Sequence, residues 1–151
     1  MIKIICVGKI KEKFFKDGIL EYQKRLSKYT KLELIEVKDY DDSNPNVAVN
    51  LEKEEILKHL NSKDYLITLE IEGKELSSKE FASFIDKTQM TNSNITFIIG
   101  GSNGIHEDIK KMSNYKLSFS KLTFPHQLFR VILLEQIYRA FKIINNENYH
   151  K

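Results

Sequence analysis

The sequence predicts an α/β protein with a mostly parallel sheet and helices on both faces, because three observations agree. Apolar, β-branched runs alternate with helical patterns along the whole chain, in the order β-α-β-α-β-α-β-α-β-α. Two of these runs, residues 1–7 and 95–99, are almost continuously apolar, as strands covered on both faces are. A glycine-rich turn directly follows the second run and leads into the next helical pattern.

Each element follows from a local pattern. The first helix is predicted because Phe15, Ile19, Tyr22, Leu26 and Tyr29 recur at helical spacing. The predicted strands are residues 1–7, 32–37, 65–69, 95–99 and 116–120. The predicted helices are residues 13–29, 47–60 with Leu51 and Leu60 inward, a helix beginning at Ser77, 106–112, and a long helix opened by Pro125.

Two helix starts and one turn carry specific signals. Ser77 and Glu80 form a capping box, in which each side chain satisfies a free backbone amide of the other residue. Pro125 suits a first helical turn, where its missing amide proton is not needed. Gly73 predicts a turn that ends the third strand.

Composition predicts one domain, residues 1–151, with a core of its own. The chain is 41% hydrophobic and 30% charged, and it has no apolar run long enough to span a membrane and no signal-peptide pattern. A single cysteine, Cys6, excludes a disulfide framework. We therefore expect a cytoplasmic protein that has no membrane partner.

Positive charge is concentrated in the C-terminal third. The whole chain carries a net charge of +3, whereas residues 110–151 hold eight Lys or Arg against two Glu. A solvated basic helix and a surface for a polyanion both fit this asymmetry.

In parallel α/β sheets, ligands bind beyond the carboxyl ends of the strands. That rule points to the residues after Leu69, to 100–104 and to 119–125. The glycine turn, Gly100-Gly-Ser-Asn-Gly104, is neither a dinucleotide fingerprint nor a P-loop. It fits either a tight structural turn or a close contact with a nucleoside-like cofactor.

The long helix after Pro125 is apolar on almost every side. One sheet face cannot cover so much apolar surface, so the helix is either enclosed within the domain or also packs against a second subunit, and we expect a homodimer. Glu135 and Arg139 are spaced i,i+4. They form either a surface ion pair or a site where Arg139 faces a polyanion or a substrate base.

The last three residues, Tyr149, His150 and Lys151, have two interpretations. A terminus of this kind is commonly frayed. It also offers a ring for base stacking, an imidazole that titrates near neutral pH and a cation for phosphate. His126 suits capping or catalysis equally, His59 and His106 fit helix surfaces, and no spacing indicates a metal site.

Several motifs together resemble the RlmH family of SPOUT-class 23S rRNA (pseudouridine-N3)-methyltransferases, over essentially the full chain. They are Leu69 with Gly73-Lys74, Phe97-Ile-Ile-Gly-Gly101, Leu122-Thr-Phe-Pro-His126, Arg130, Glu135-Gln-Ile-Tyr-Arg-Ala-Phe141 and Tyr149-His150-Lys151. The resemblance implies an α/β knot at the C-terminus and a homodimer through the long helix. It implies a pseudouridine of 23S rRNA in the assembled ribosome as substrate.

The resemblance also implies a cofactor and residue roles. S-adenosylmethionine would be held by Leu69, Gly100, Phe119, Ser120, Lys121, Leu122, Thr123 and Phe124. His150 would be the first candidate for the general base and Glu135 the second, with Arg139 stabilising negative charge and Tyr149 positioning the target base. The family often ends in Tyr-His-Arg, so Lys151 is a departure that retains charge but loses a planar bidentate contact. A non-catalytic ribosome-binding module and a SPOUT methyltransferase acting on tRNA are the alternatives.

Overall fold

Five parallel strands form one twisted sheet in the order β2-β1-β4-β3-β5. The computed structural model describes all residues, Met1–Lys151. The strands are β1 (Ile2–Val7), β2 (Leu32–Val37), β3 (Tyr65–Glu75), β4 (Ile95–Ile99) and β5 (Tyr115–Ser118). The helices are α1 (Lys13–Leu26), α2 (Pro45–Leu57), α3 (Ser78–Thr91), α4 (Glu107–Met112) and α5 (His126–Ile144).

Strands β1 and β4 are almost completely buried, because each has a neighbouring strand on both sides and helices cover both faces of the sheet. All five residues of β4 are buried, as their continuous apolar run predicts. Adjacent residues point to opposite faces, so Ile4 joins the core beneath α1, α3 and α5, whereas Ile5 joins the core beneath α2 and α4. The predicted parallel α/β architecture is confirmed. The C-terminal knot stays a prediction of the family resemblance.

The local signals for α3 and α5 are confirmed in detail. Ser77 Oγ accepts a hydrogen bond from the Glu80 amide at 3.1 Å, and Glu80 Oε1 accepts one from the Ser77 amide at 2.9 Å. Pro125 occupies the N-cap of α5, one residue before the predicted position. Buried residues of α5 lie against α1 and α3, so one side of this helix is core.

Three predictions about element boundaries and faces are wrong. The third strand does not end at Leu69 but continues to Glu75, because Gly73 allows the chain to lie closely against β5 instead of turning. In α2, Leu51 is exposed, and the buried positions are Ala48, Glu52 and Ile56. The first helix ends at Leu26 and not at residue 29. None of the helices combines the length and the apolar character that crossing a membrane requires.

Candidate active site

The carboxyl ends of β4, β3 and β5 enclose an open cavity of about 490 Å³. This volume lies within the range of roughly 300–1,000 Å³ that small-molecule sites occupy. The three places indicated by the strand ends meet here because these strands are neighbours in the sheet. Seven of the predicted cofactor residues line the cavity: Leu69, Gly100, Phe119, Ser120, Leu122, Thr123 and Phe124. Lys121 does not line it, and its side chain is exposed.

The glycine turn is tight and also lines the cavity. A Cβ atom on Gly100 would lie 2.8 Å from both the Gly104 carbonyl carbon and Ile105 Cγ1, which is closer than non-bonded carbons pack. Gly104 has φ of +78°, and its amide donates to the Gly101 carbonyl at 3.0 Å. The interpretation as a tight structural turn is confirmed, and contact with a nucleoside-like cofactor stays a prediction.

The extension of β3 supplies one wall of the cavity, at the place after Leu69 that the strand-end rule indicated, but as a continued strand and not as a turn. The pairing of β3 with β5 shifts register between Leu69 and Lys74, and the intervening residues Glu70, Ile71 and Glu72 line the cavity. Gly73 makes this bulge possible, since a Cβ atom there would lie 2.7 Å from the Lys116 carbonyl oxygen. Gly73 was the available signal, because an isolated glycine beside a strand pattern indicates either a turn or a bulge.

The floor of the cavity is aromatic and has one imidazole at its edge. The Phe119 and Phe129 rings pack edge to face at 5.0 Å, and Phe124 stacks on Phe129 at 6.1 Å. His126, the first residue of α5, lines the cavity. Burial of its imidazole and the nearby Arg130 guanidinium both lower the His126 pKa, so the side chain is neutral at neutral pH.

Arg130 anchors α5 to the carboxyl end of β1. Its guanidinium is 2% exposed and donates to Glu36 Oε2 at 2.6 Å. It also donates to the carbonyl oxygens of Val7 at 3.1 Å and Gly8 at 2.7 Å. The sequence named Arg130 only as one of the motifs that carry the family resemblance, without a structural role. A lone arginine in such a helix was the signal for a buried role, because a buried charge needs partners of this kind.

The C-terminal tail is folded back against α1 and α5. Asn146 has φ of +54°, its amide donates to Ile143 O at 3.1 Å, and the Glu147 amide donates to Lys142 O at 2.9 Å. These bonds form a Schellman motif, in which asparagine is the usual substitute for glycine. The Glu147 carboxylate then accepts from Tyr29 at 2.8 Å and Lys142 at 3.0 Å. The alternative of a frayed terminus is therefore wrong for this tail.

All four predicted catalytic residues lie in one cluster at this end of α5. Glu135 Oε1 is paired with the Arg139 guanidinium, whose Nε donates to it at 2.9 Å, and it accepts from the Tyr149 hydroxyl at 3.2 Å. The Tyr149 ring packs edge to face on Tyr138 at 4.9 Å and lies 4.9 Å from the Arg139 guanidinium carbon. Burial, followed by the neighbouring Tyr22 and Glu135, raises the Tyr149 pKa to about 12. Tyr149 is therefore a hydrogen-bond donor at neutral pH.

The proton on His150 can be placed from its partner. Arg139 Nη1 lies 3.0 Å from His150 Nδ1, and a guanidinium has no acceptor. Nδ1 is therefore the acceptor in this contact, which leaves Nε2 as the ring nitrogen that can donate. In this arrangement His150 presents an N–H donor, and accepting a proton at Nδ1 requires Arg139 to release that nitrogen.

The cluster and the cavity lie at different positions along α5. Phe129 borders the cavity and Glu135 belongs to the cluster, so six residues of helix separate them, or roughly 9 Å at 1.5 Å per residue. None of the four predicted catalytic residues lines the cavity. The structure thus brings together the catalytic candidates with each other, and the cofactor candidates with each other, but not the two groups within one chain.

Other candidate groups have structural roles. His106 is the N-cap of α4, and its Nδ1 accepts from the Asp108 amide at 2.9 Å, so it is not the plain helix-surface residue that the sequence predicts. Burial raises the Cys6 pKa to about 12, which keeps the thiol protonated and poorly nucleophilic. No group of three or more His, Cys, Asp or Glu side chains is placed to hold a metal ion.

Comparison with known proteins agrees with the fold and the motifs. The family model described as "Predicted SPOUT methyltransferase" matches residues 1–150. The chain is 51% identical to "Ribosomal RNA large subunit methyltransferase H" of Caldicellulosiruptor saccharolyticus over 100% of both chains. It is 53% identical to the protein of the same name from Clostridium botulinum strain Langeland over 99% of both chains.

A solved structure supports the fold. The probable methylase family protein from Haemophilus influenzae Rd KW20 superimposes with a TM-score of 0.57 at 14% identity, covering 99% of this chain and 70% of that one. At this identity the likeness shows the fold alone. The family match and the full-length relatives decide the classification: the chain belongs to the SPOUT methyltransferases, in the RlmH family of ribosomal RNA large subunit methyltransferases.

Proposed function

We propose that this protein is an S-adenosylmethionine-dependent methyltransferase that methylates N3 of a pseudouridine in 23S rRNA of the large ribosomal subunit, acting on assembled ribosomes as a cytoplasmic homodimer. The enzyme class and the rRNA substrate are supported by full-length relatives at more than 50% identity. The structural observation that carries the proposal is a nucleoside-sized cavity at the strand ends, together with a separate ordered cluster that contains all four catalytic candidates.

The cavity fits the proposed cofactor. Gly100 leaves backbone exposed where any side chain would collide, so a ligand can approach the main chain as a nucleoside requires. Phe119, Phe124 and Leu69 offer apolar surface for an adenine ring, and the cavity holds polar groups at Glu70, Glu72 and Lys110 for the charged end of the molecule. Leu69, Gly100 and the 119–124 loop would therefore hold S-adenosylmethionine. Lys121 would not touch the cofactor, because it does not line the cavity.

The separation of cavity and tail supports a dimeric site. One chain cannot bring His150 to its own cavity without unwinding α5 or releasing the tail. The outer side of α5 carries two half-exposed apolar residues, Leu128 and Ile132, in line with Glu135 and Arg139. A second copy packed on this stripe would cover it and would place its tail cluster near the cavity of the first. This arrangement explains why the two groups of residues lie apart.

The chemistry assigns distinct tasks to the tail residues. When bound, S-adenosylmethionine supplies an electrophilic methyl group on a positively charged sulfur. The N3–H proton of pseudouridine has to be removed, and His150 and then Glu135 are the candidates to take it. Arg139 holds both in the free chain, through His150 Nδ1 and Glu135 Oε1. If Arg139 moves to a carbonyl oxygen beside N3, it stabilises the charge developing there and frees His150 Nδ1 in the same step. Tyr149 would position the base by stacking or by its hydroxyl.

The proposal is tested with ribosomes that lack the modification, labelled S-adenosylmethionine and the purified protein. Mass spectrometry of the digested rRNA should place the label on a pseudouridine of 23S rRNA. Label found only on tRNA would replace this proposal with a SPOUT methyltransferase that acts on tRNA. Measurable ribosome binding without any label would replace it with a non-catalytic ribosome-binding module. Removing residues 149–151 should abolish transfer and leave the calorimetric affinity for S-adenosylmethionine unchanged, whereas unimpaired transfer would refute the role of the tail.

Subunit mixing separates action within a chain from action across the dimer. A chain lacking residues 149–151 has an intact cavity and no tail. A Gly100→Ala chain has an intact tail, but its new Cβ atom collides with the turn, so it should bind no cofactor when S-adenosylmethionine is kept at limiting concentration. If the tail acts across the interface, random mixing of the two inactive chains should restore about a quarter of wild-type activity through heterodimers. If the tail acts within its own chain, the mixture stays inactive.

A further inference from the structure

The segment of residues 9–16, Lys-Ile-Lys-Glu-Lys-Phe-Phe-Lys, forms a cationic surface at the start of α1, which we call the 9–16 ridge. It holds four lysines and one glutamate, and the side chains of all four lysines are exposed. In three dimensions it is a second dense cluster of positive charge.

The positive charge of the ridge is almost uncompensated. Lys13 Nζ lies 2.7 Å from Asp17 Oδ2, but the two side chains are 88% and 56% exposed, so this pair contributes little. Lys9, Lys11 and Lys16 have no carboxylate partner within 4 Å, unlike Lys3, Lys53 and Lys142, which all pair. Unpaired surface cations close together attract polyanions and release condensed counterions when they bind them.

An aromatic ring stands among these lysines. Phe14 is 65% exposed, although its neighbour Phe15, 4.3 Å away between ring centroids, packs against the core. An exposed ring flanked by cations is the combination that single-stranded RNA sites use, because bases stack on the ring while the cations bind the backbone.

The ridge is held beside the cavity. The Ile10 amide donates to Glu36 Oε2 at 2.9 Å, and Glu36 in turn binds Arg130. The Lys11 amide donates to Gln127 Oε1 at 3.1 Å, and Gln127 follows His126, which borders the cavity. The ridge is thus fixed to the beginning of α5, where the helix borders the cavity.

We infer that the 9–16 ridge is an RNA-binding surface, in which Lys9, Lys11 and Lys16 contact phosphates next to the target nucleotide and Phe14 stacks on an unpaired base. The inference rests on the proposed function for the identity of the RNA. A homodimer seam is the other use for an exposed Phe14. It is disfavoured because a two-fold axis through the ridge would bring two uncompensated lysine clusters together.

The test is co-sedimentation of the full-length protein with 70S ribosomes lacking the modification, over a series of salt concentrations. The test variant combines Lys9→Gln, Lys11→Gln and Lys16→Gln. The matched control removes the same charge from three exposed, unpaired lysines elsewhere, with Lys63→Gln, Lys79→Gln and Lys87→Gln. Three lost phosphate contacts should make the slope of log K against log salt shallower by about 2 and weaken binding about 100-fold at ~0.1 M salt.

Each outcome decides the inference. Weaker binding with a shallower slope in the test variant alone supports it. Equal binding in the test variant and wild type, or equal weakening in the control, overturns it. Phe14→Ala should weaken binding about 5- to 100-fold with an unchanged slope and an unchanged oligomeric state in sedimentation. Dissociation of the Phe14→Ala protein into monomers would assign the ring to a seam instead. Binding is measured without methyl transfer, so absent transfer by the wild type would defeat the proposed function and leave the ridge separately testable.

Discussion

Replacing Gly100 by alanine should close the candidate cofactor site while leaving the remainder of the fold in place. The new Cβ atom would lie 2.8 Å from the Gly104 carbonyl carbon and 2.9 Å from the Gly104 carbonyl oxygen, and backbone atoms cannot swing away as a side chain can. Overpacking of this kind costs typically about 1–3 kcal/mol, which the turn can relieve only by moving outward into the cavity. A shift of that loop narrows the space that a ligand would occupy.

We expect urea titration to show a free energy of unfolding about 1–3 kcal/mol lower for the Gly100→Ala protein than for wild type. We also expect its calorimetric affinity for S-adenosylmethionine to fall at least about tenfold, which corresponds to about 1.4 kcal/mol. Gly18→Ala is the matched control, because its Cβ atom would meet Val131 at an ordinary 3.5 Å inside a helix. That substitution should leave affinity unchanged and stabilise the fold by about 0.5–1 kcal/mol. If Gly100→Ala bound the cofactor as tightly as wild type, the glycine turn would not be part of the site.

Two further predictions concern the ends of α5. Asn146→Gly should leave the tail folded against α1 and α5. Asn146→Val should destabilise this folded tail by at least about 1 kcal/mol, because a β-branched residue disfavours the φ of +54° found there. Hydrogen exchange of the 147–151 amides checks this, and equal protection in both variants would contradict it. Arg130→Met should lower the free energy of unfolding in urea by about 2–3 kcal/mol, because two carbonyl oxygens and the Glu36 carboxylate lose their hydrogen-bond donor. This cost is lower than that of breaking a fully buried ion pair, because the Glu36 side chain is 34% exposed and water can solvate it. A loss under about 0.5 kcal/mol would show that Arg130 does not anchor α5.

Most of the fold could be predicted because its signals are local. The capping box at Ser77 predicted the start of α3, and the apolar run of residues 95–99 predicted β4 with its burial. The errors arose where one local pattern has two outcomes. Gly73 permits both a turn and a bulge, and only the approach of β5 to within 2.7 Å of its Cβ position selects the bulge.

The cavity could be predicted in outline, since ligand sites of parallel sheets lie at the strand ends. Its acidic wall could not, because Glu70 and Glu72 reach the cavity only through the bulge in β3. Arg130 also escaped a local interpretation. Its partners Val7 and Gly8 lie more than 120 positions away in the chain, and periodicity carries no information about such contacts.

The C-terminal tail separates most clearly what the sequence determines from what the tertiary structure decides. The sequence by itself determined which residues are the catalytic candidates there, because their side-chain chemistry and the family motif do not depend on how the chain is packed. The tertiary structure alone decided that the tail is ordered, that Arg139 holds His150 and Glu135, and that this cluster lies beyond the part of α5 that borders the cavity. Order, pairing and separation are long-range properties, set by where α1 and α5 pack on the sheet and not by any residue's neighbours in sequence.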